Sequence, residues 1–232
     1  MIDVIRNVQR YHFENDWLSS YWHFSFDQYY DPNNLSFGPL RVFNDDIVQP
    51  SSGFPMHPHR EMEIITYVLE GELEHKDSTG ASDRIGPGEV QRMSAGTGIR
   101  HSEYNPSAEH SVHLLQMWIT PAVNGLPPSY EQLRFTREQR MGKLLPVASG
   151  QNIPNTVKVH QDTTLYVALL NAGDEVQHVF AAPRRAYLFV MSGKLNTNTN
   201  ELARGDQAKI TKEPLIMLKA KELSELVLFD LP

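Results

Sequence analysis

The chain has 232 residues, of which 40% are hydrophobic and 21% are charged, and its formal net charge is −7. These proportions allow a packed globular core, whereas the acidic balance and the lack of a lysine or arginine run argue against direct nucleic-acid binding. The absence of cysteine excludes disulfides, thiolate nucleophiles and cysteine metal ligands. Neither a secretory signal nor an apolar run long enough to cross a bilayer is visible, so we expect a cytoplasmic protein without a membrane partner.

Strand-like segments dominate the chain. Four of them are rich in β-branched and aromatic residues and are separated by turns such as Gly86-Pro87-Gly88. Many short strands punctuated in this way favour an all-β protein built as a sandwich or barrel. In chain order the four segments are residues 64–69 (IITYVL), 112–119 (VHLLQMWI), 186–191 (AYLFVM) and 226–231 (LVLFDL).

One segment, residues 129–141 (SYEQLRFTREQRM), predicts a helix. Ser129 follows two prolines and is a suitable N-cap, and Gln132 stands at the third helical position. The segment lies in a connection of about residues 121–155 that is rich in proline and glycine. We therefore predict two domains, at residues 1–135 and 136–232, joined by a short helical connection.

The two halves of the chain resemble each other. TYVLEG at 66–71 followed by GPGE at 86–89 is similar to LFVMSG at 188–193 followed by ARGD at 203–206. Aligning Gly71 with Gly193, and Gly88 with Gly205, indicates a repeated β unit with a shorter turn in the second copy. We therefore expect two similar β domains in tandem.

A cluster of ligating side chains lies in HPHREME at residues 57–63. Residues i and i+2 of a strand share a face, so His57 and His59 are expected to point the same way. His101 and Glu103, in GIRHSEY, have the same spacing. Two such strands facing each other would offer three imidazoles and one carboxylate to a single ion, a set that suits iron, nickel, copper, manganese or zinc.

The carboxylate ligand is not decided by spacing. Glu61 and Glu63 share the parity of His57 and His59, so they compete with Glu103. The repeat aligns the candidate ligands of the first half with apolar or basic residues, which predicts that the second domain has no metal site. Those residues are Val179, Ala181, Arg185, Leu218 and Ala220.

The remaining histidines are expected to be structural. His113 lies in an apolar strand and is read as a satisfied core residue, and His23 within WHFSF as packed and hydrogen-bonded. The others with a structural interpretation are His12, His75, His110, His160 and His178.

Taken together, His57-x-His59-x3-Glu63, Gly71, Gly86-Pro-Gly88 and His101 resemble the two-part cupin motif. More narrowly, three stretches resemble pirin proteins, in particular the bacterial branch associated with quercetinase activity. They are WHFSFDQYYDP at 22–32, HPHREMEIITYVLEG at 57–71 and MSAGTGIRHSEYNP at 93–106. The resemblance implies a bicupin, which is an all-β fold of two tandem jelly-roll-like barrels with one metal in the N-terminal barrel.

The resemblance also implies a ligand set and a function. The family's ligands correspond to His57, His59, His101 and Glu103, with Glu63 as second choice for the carboxylate, and the metal it implies is iron. The implied activity is that of a quercetin 2,3-dioxygenase, which opens the heterocycle of a flavonol with dioxygen. Glu103 is then also the candidate catalytic base, and Phe24, Phe26 and Phe54 are candidates for the pocket wall.

Two other functions stay open at this point. The first is a metal-binding regulator that acts through a protein partner, as described for some pirins. The second is cupin chemistry on a different small molecule, which the pirin-like stretches make the weaker alternative.

Overall fold

The computed structural model describes residues 1–181 and 183–232, and these residues form mainly β-strands. The predicted all-β class is confirmed, and each of the four predicted strand segments lies in a strand. A 3-10 helix spans Asn7–Gln9 and a helix, α1, spans Arg137–Arg140. The strands are β1 (Ile2–Ile5), β2 (Tyr11–Glu14), β3 (Leu18–Trp22), β4 (Leu40–Val48), β5 (Gly53–His59), β6 (Glu63–Glu70), β7 (Leu73–Asp77), β8 (Ser82–Ile85), β9 (Glu89–Ser94), β10 (Ile99–Tyr104), β11 (Val112–Ile119), β12 (Ser129–Arg134), β13 (Leu145–Ser149), β14 (Val157–Lys158), β15 (Thr164–Leu170), β16 (Glu175–Val179), β17 (Arg185–Ser192), β18 (Lys194–Asn196), β19 (Glu201–Ala203), β20 (Gln207–Thr211), β21 (Leu215–Ala220) and β22 (Ser224–Leu231).

These strands form two compact units. The first barrel contains Tyr11–Arg134 and Val157–Gln161, and the second barrel contains Met1–Arg10, Phe135–Thr156 and Asp162–Pro232. The units therefore differ from the predicted segments in both directions. Residues 1–10 lie with the second barrel because β1 pairs with β20. Residues 157–161 lie with the first barrel, where His160 bonds to Glu63.

Each barrel is built from a large sheet and a small sheet. In the first barrel the large sheet has the order β12-β9-β6-β11-β4-β3-β2, and the small sheet has the order β5-β10-β7-β8. In the second barrel the corresponding orders are β1-β20-β17-β22-β15-β13 and β16-β21-β18-β19. The same succession of strands appears in both, so the structure confirms the internal repeat.

The glycines that revealed the repeat occupy equivalent turns. Gly71 follows β6 and Gly193 follows β17, and both have φ of +77°. A side chain at either position would collide with a carbonyl oxygen, that of Ser111 in the first barrel and that of Leu223 in the second. Glycine is required at both turns because it alone combines positive φ with this close approach.

The predicted helix over residues 129–141 is wrong in its first half. Residues 129–134 form β12, which pairs along its length with β9, from Ser129 opposite Ser94 to Arg134 opposite Glu89. Tertiary pairing overrides the local helical pattern there. The helix begins only after Thr136, whose hydroxyl accepts from the Gln139 backbone N–H in a capping box.

The second barrel has an apolar interior that includes Leu188, Ala208 and Leu228, all fully buried. The apolar clusters of the first barrel include one around Val68 and Val112 and one around Ile64 and Met93. Over residues 1–181 and 183–232, the structure contains no helix with the length and apolar character needed to cross a membrane.

Candidate metal centre

Two neighbouring strands of the small sheet carry the predicted ligands. β5 presents His57 and His59 two residues apart, and β10 runs antiparallel beside it with His101 opposite His57. A register shift follows His101, so Glu103 pairs with Phe54 rather than with the residue that a regular ladder would place there. The i, i+2 spacing accounts for His57 and His59, and the pairing of β10 with β5 adds His101. The two strands are neighbours in one sheet, rather than facing each other across the barrel as the spacing suggested.

The three imidazoles surround a common point. Nε2 of His57 and Nε2 of His101 lie 3.0 Å apart, and the ring centroids of His59 and His101 lie 4.8 Å apart. One ligand atom from each of the three lies within 4.8 Å of the others. Nε2 of His59 is buried and has no hydrogen-bond partner. A buried nitrogen left unpaired in this way is what a coordinated ion would satisfy.

The protonation states suit metal binding. Burial, helped by the neighbouring imidazoles His101 and His57, lowers the pKa of His59 to about 4. Burial also lowers the pKa of His101 to about 3, with His57 and His75 as the next causes. Both imidazoles are therefore neutral near pH 7, and a neutral imidazole is the form that ligates a metal. The Nδ1 of His57 lies 2.7 Å from the carbonyl oxygen of Pro55, which leaves Nε2 for the ion.

Glu103 is buried beside this centre and is held by two side chains of the large sheet. Its Oε2 accepts from Nε2 of Gln116 at 2.7 Å, and its Oε1 accepts from the Thr66 hydroxyl at 3.5 Å. Glu103 belongs to a second group of potential ligand atoms, with His101 and His75, also within 4.8 Å of one another. It therefore lies on the His101 side of the centre.

The competing carboxylates have other partners. Oε1 of Glu63 accepts from the Ser94 hydroxyl at 2.6 Å and contacts Nδ1 of His160 at 2.7 Å, while its Oε2 accepts from the His160 backbone N–H at 2.6 Å. Glu61 accepts from the backbone N–H of Gly125. Both carboxylates thus anchor loops of the first barrel.

Most of the histidines read as structural have that role. His113 pairs with Asp45 at 2.6 Å, His23 stacks on Phe43, and His178 contacts Asp230 at 2.7 Å. The exception is His75, which the sequence pattern did not single out. Its ring is fully buried on β7, and its Nδ1 lies 3.4 Å from Nδ1 of His101.

His75 leads to a second carboxylate, Asp77. Nε2 of His75 lies 3.3 Å from Oδ2 of Asp77, whose Oδ1 accepts from the hydroxyl and backbone N–H of Thr79 and from the backbone N–H of Ala81. Burial alone would raise the pKa of Asp77, but the hydrogen bonds from Thr79, His75 and Ala81 outweigh burial and hold it below its ordinary value. Asp77 is therefore an ionised acceptor at neutral pH.

A row of polar residues crosses the large sheet of the first barrel, one on each of five adjacent strands. The pairing register places them side by side in the order Gln132, Gln91, Thr66, Gln116 and Asn44. Because Thr66 and Gln116 bond to Glu103 on the small sheet, this row faces the barrel interior. Gln91 is fully buried with both amide atoms unpaired, and Oδ1 of Asn44 is also buried and unpaired.

An aromatic cavity of about 270 Å³ opens beside this row. Phe26 and Phe54 line it as predicted, whereas Phe24 is not among the lining residues and is packed in the core. Gln116, which bonds to Glu103, also lines the cavity and so connects it to the candidate centre. The other lining residues are Phe13, Asn15, Trp17, Leu18, Trp22, Asp27, Asn44 and Asp46.

Gln116 could have been recognised in the sequence because it is the only amide in the apolar strand VHLLQMWI. Its side chain is oriented from both ends, since Oε1 accepts from the indole N–H of Trp118 at 3.2 Å while Nε2 donates to Glu103. The row as a whole was not predictable, because it depends on the register between strands that are distant in sequence.

Two related β-barrels, of which the first carries a cluster of three imidazoles, define a bicupin with a candidate centre for a divalent metal. Comparison with known proteins narrows this class. The Pirin family model matches residues 4–119, and a model described as the quercetinase C-terminal cupin domain matches residues 146–231.

Individual relatives agree with the family models. The chain is 46% identical over 232 residues to the quercetin 2,3-dioxygenase of Escherichia coli K12, covering 100% of this chain and 99% of the relative. It is 41% identical over 218 residues to a pirin-like protein of Caulobacter vibrioides, covering 94% of each. The crystal structure of the bacterial pirin YhhW from E. coli in complex with nickel(II) superposes with a TM-score of 0.95 at 44% identity, covering 100% of this chain and 99% of that one. The chain belongs to the pirin family.

Proposed function

We propose that this protein is a metal-dependent quercetin 2,3-dioxygenase that opens the heterocyclic ring of a flavonol with dioxygen. The observation that carries the proposal is a cluster of three imidazoles connected, through Glu103 and Gln116, to an aromatic cavity. The full-length similarity to a named quercetin 2,3-dioxygenase supports the same reaction class.

The proposed ligands are His57, His59, His101 and Glu103, all in the first barrel, and we propose that the second barrel binds no metal. Imidazole nitrogen with one carboxylate suits several first-row divalent ions, and iron is our proposal for the resident metal. A bound divalent ion would supply Lewis acidity and a template for the substrate oxygens. The nickel complex of a pirin relative supports a site that accepts a divalent transition metal.

Glu103 is the proposed general base for the 3-hydroxyl proton of the flavonol. Its carboxylate is 2% exposed, and Gln116 and Thr66 hold both oxygens in place by donating to them. A base works best when a substrate hydroxyl comes within hydrogen-bond reach of it, and the cavity extends to Gln116, which donates to Glu103. Glu103 then holds the proton while the ring opens.

The cavity supports a planar aromatic substrate. Trp22, Phe26 and Phe54 provide apolar walls, a composition typical of small-molecule pockets. Asn44 Oδ1 is a buried acceptor without a partner at the cavity, so it fits a hydroxyl donor of the ligand. A polyphenol offers both features, since it is flat, apolar on its faces and rimmed with hydroxyl groups.

The test is reconstitution followed by a product assay. Metal-free protein is loaded with Fe²⁺ or Ni²⁺ without oxygen and then mixed with quercetin in aerated buffer. We expect loss of the flavonol absorbance with release of carbon monoxide, and neither with the metal-free protein. Loaded protein that binds its metal but leaves quercetin intact would exclude this substrate. A stable protein partner and a cytoplasmic location stay predictions from the sequence.

A further inference from the structure

We propose that Asp77 and His75 are positioning residues that fix the single proton of His101 on Nδ1, so that Nε2 of His101 is free to bind the metal. The inference rests on the metal centre of the proposed function and adds two residues to it. Its basis is an unbroken line of contacts, from Asp77 Oδ2 to His75 at 3.3 Å, from His75 to His101 at 3.4 Å, and from His101 to His57 at 3.0 Å.

In the first step, Asp77 determines which nitrogen of His75 carries a proton. The hydroxyl and backbone N–H of Thr79 and the backbone N–H of Ala81 all donate to its Oδ1, which orients the carboxylate. The other oxygen, Oδ2, faces Nε2 of His75. An ionised carboxylate only accepts hydrogen bonds, so Nε2 of His75 must carry a proton.

In the second step, the position of the proton on His75 determines the position of the proton on His101. A neutral imidazole with its proton on Nε2 has a lone pair on Nδ1, and Nδ1 of His75 faces Nδ1 of His101. His101 therefore donates its proton there and keeps a lone pair on Nε2. That nitrogen points to the centre, where it lies 3.0 Å from Nε2 of His57. Such outer hydrogen bonds commonly fix the tautomer and ring orientation of a metal-binding histidine.

The second barrel supports this reading because it lacks the line entirely. His75 and Asp77 lie four and six residues after Gly71, and the residues four and six after the equivalent Gly193 are Thr197 and Thr199. The positioning residues are thus absent from the barrel in which the predicted ligands are also absent.

The competing interpretation is a second metal held by His75, His101 and Glu103, whose ligand atoms also lie close together. The hydrogen bonds oppose it. Asp77 already occupies the Nε2 side of His75. When His101 binds one metal through Nε2, its Nδ1 carries the proton and faces His75, so Nδ1 cannot bind a second metal.

The experiment uses Asp77→Asn, which keeps the size of the side chain while its amide can donate to His75. His75 would then carry its proton on Nδ1 and force the proton of His101 onto Nε2. We expect the Kd for Ni²⁺, measured by competition with a chromophoric chelator, to rise ten- to a hundredfold. Asp83→Asn is the matched control, since Asp83 is exposed opposite His75 on β8 and its Kd should stay within about twofold of the wild type.

A second pair of variants tests the hydrogen bond between His75 and His101 without changing the charge of Asp77. Comparing the two variants also distinguishes loss of this bond from a folding defect. His75→Asn retains an acceptor near the Nδ1 position and should bind Ni²⁺ almost as the wild type does. His75→Phe fills the space without an acceptor and should lose affinity to the same extent as Asp77→Asn. Equal affinities of His75→Phe and the wild type would overturn the proposal.

The proton itself can be observed in the metal-free protein. A two-bond ¹H–¹⁵N spectrum of the imidazoles should show His101 with its proton on Nδ1 in the wild type and on Nε2 in Asp77→Asn. The opposite tautomer in the wild type, or two Ni²⁺ per chain with one lost in His75→Phe, would contradict the inference. A wild type that binds no Ni²⁺ would refute the metal centre, yet the spectrum would still decide how His101 is protonated.

Discussion

The two barrels place very different residues at equivalent positions of their large sheets. The polar row of the first barrel runs through Gln132, Gln91, Thr66, Gln116 and Asn44. In the second barrel the same register gives an entirely different series, namely Val4, Ala208, Leu188, Leu228 and Tyr166. The backbone plan is shared, but the second interior is apolar where the first is polar.

This difference shows how one β plan serves two purposes. Burying amides without partners is unfavourable by roughly 1–3 kcal/mol each, so Gln91 and Asn44 weaken the first barrel as a core. The leucines of the second barrel stabilise it through buried apolar area instead. The first barrel has therefore given up packing stability at the positions that surround Glu103 and the imidazoles.

The largest expected effect separates the barrels by metal binding. His101→Ala should abolish metal uptake, because it removes a nitrogen at the centre and leaves His57 and His59 without a third imidazole. His178→Ala, in the second barrel, should bind metal as the wild type does, since His178 bonds to Asp230. Elemental analysis after loading with Ni²⁺ measures both. Equal metal loss in the two variants would show that the assignment of the metal centre to the first barrel is wrong.

The next effect concerns stability of the second barrel. Leu228→Gln, which copies Gln116 into the equivalent position, should lower the free energy of unfolding by about 3 kcal/mol. The reason is that Leu228 is fully buried among apolar side chains, where the amide finds no partner. Urea unfolding of the metal-free protein measures this loss. Leu228→Met is the volume-matched control and should cost less than about 1.5 kcal/mol; similar losses in both would contradict a dry apolar interior.

The reciprocal change should affect catalysis as well as stability. Gln116→Leu removes the donor to Oε2 of Glu103 and gives the first barrel the residue found in the second. We expect kcat for quercetin to fall about tenfold, corresponding to about 1.4 kcal/mol in the barrier, because Glu103 loses its orientation. The free energy of unfolding should fall by about 1–3 kcal/mol, because the indole N–H of Trp118 and Oε2 of Glu103 lose their partner. Steady-state kinetics and urea unfolding of the same variant measure both effects. A loss of stability without a loss of kcat would show that Gln116 has only a structural role.

How far these positions follow from the sequence depends on whether the decisive contact is local. The i, i+2 spacing of His57 and His59 predicted that they share a face, and the alignment of Gly71 with Gly193 predicted the internal repeat. The pairing of β12 with β9 joins residues far apart in sequence, and it replaced a helix that the local pattern favoured. The role of His75 could not be predicted for the same reason, because it depends on contact with His101 on the neighbouring strand.

The last effect is a pH dependence that the second barrel lacks, since its counterpart of Asp46 is Ala168. Burial raises the pKa of Asp46 from 3.8 to about 7; Asp45 and Glu103 also raise it, against the hydrogen bond from Ser20. Between these pH values the native protein holds a proton that the unfolded chain has lost, so wild-type stability falls as pH rises through this window.

Asp46→Asn carries no such proton and can still accept from Ser20. The metal-free variant should match the wild type near pH 4 and exceed its unfolding free energy by about 4 kcal/mol above pH 7. Urea unfolding at a series of pH values measures the difference, with Asp83→Asn as the exposed control that should show no such trend. A gap between Asp46→Asn and the wild type that is constant with pH would mean that Asp46 is ionised in the native first barrel. The polar residues of that interior would then include a buried charge, and the contrast with Ala168 would be one of charge rather than of hydrogen bonding alone.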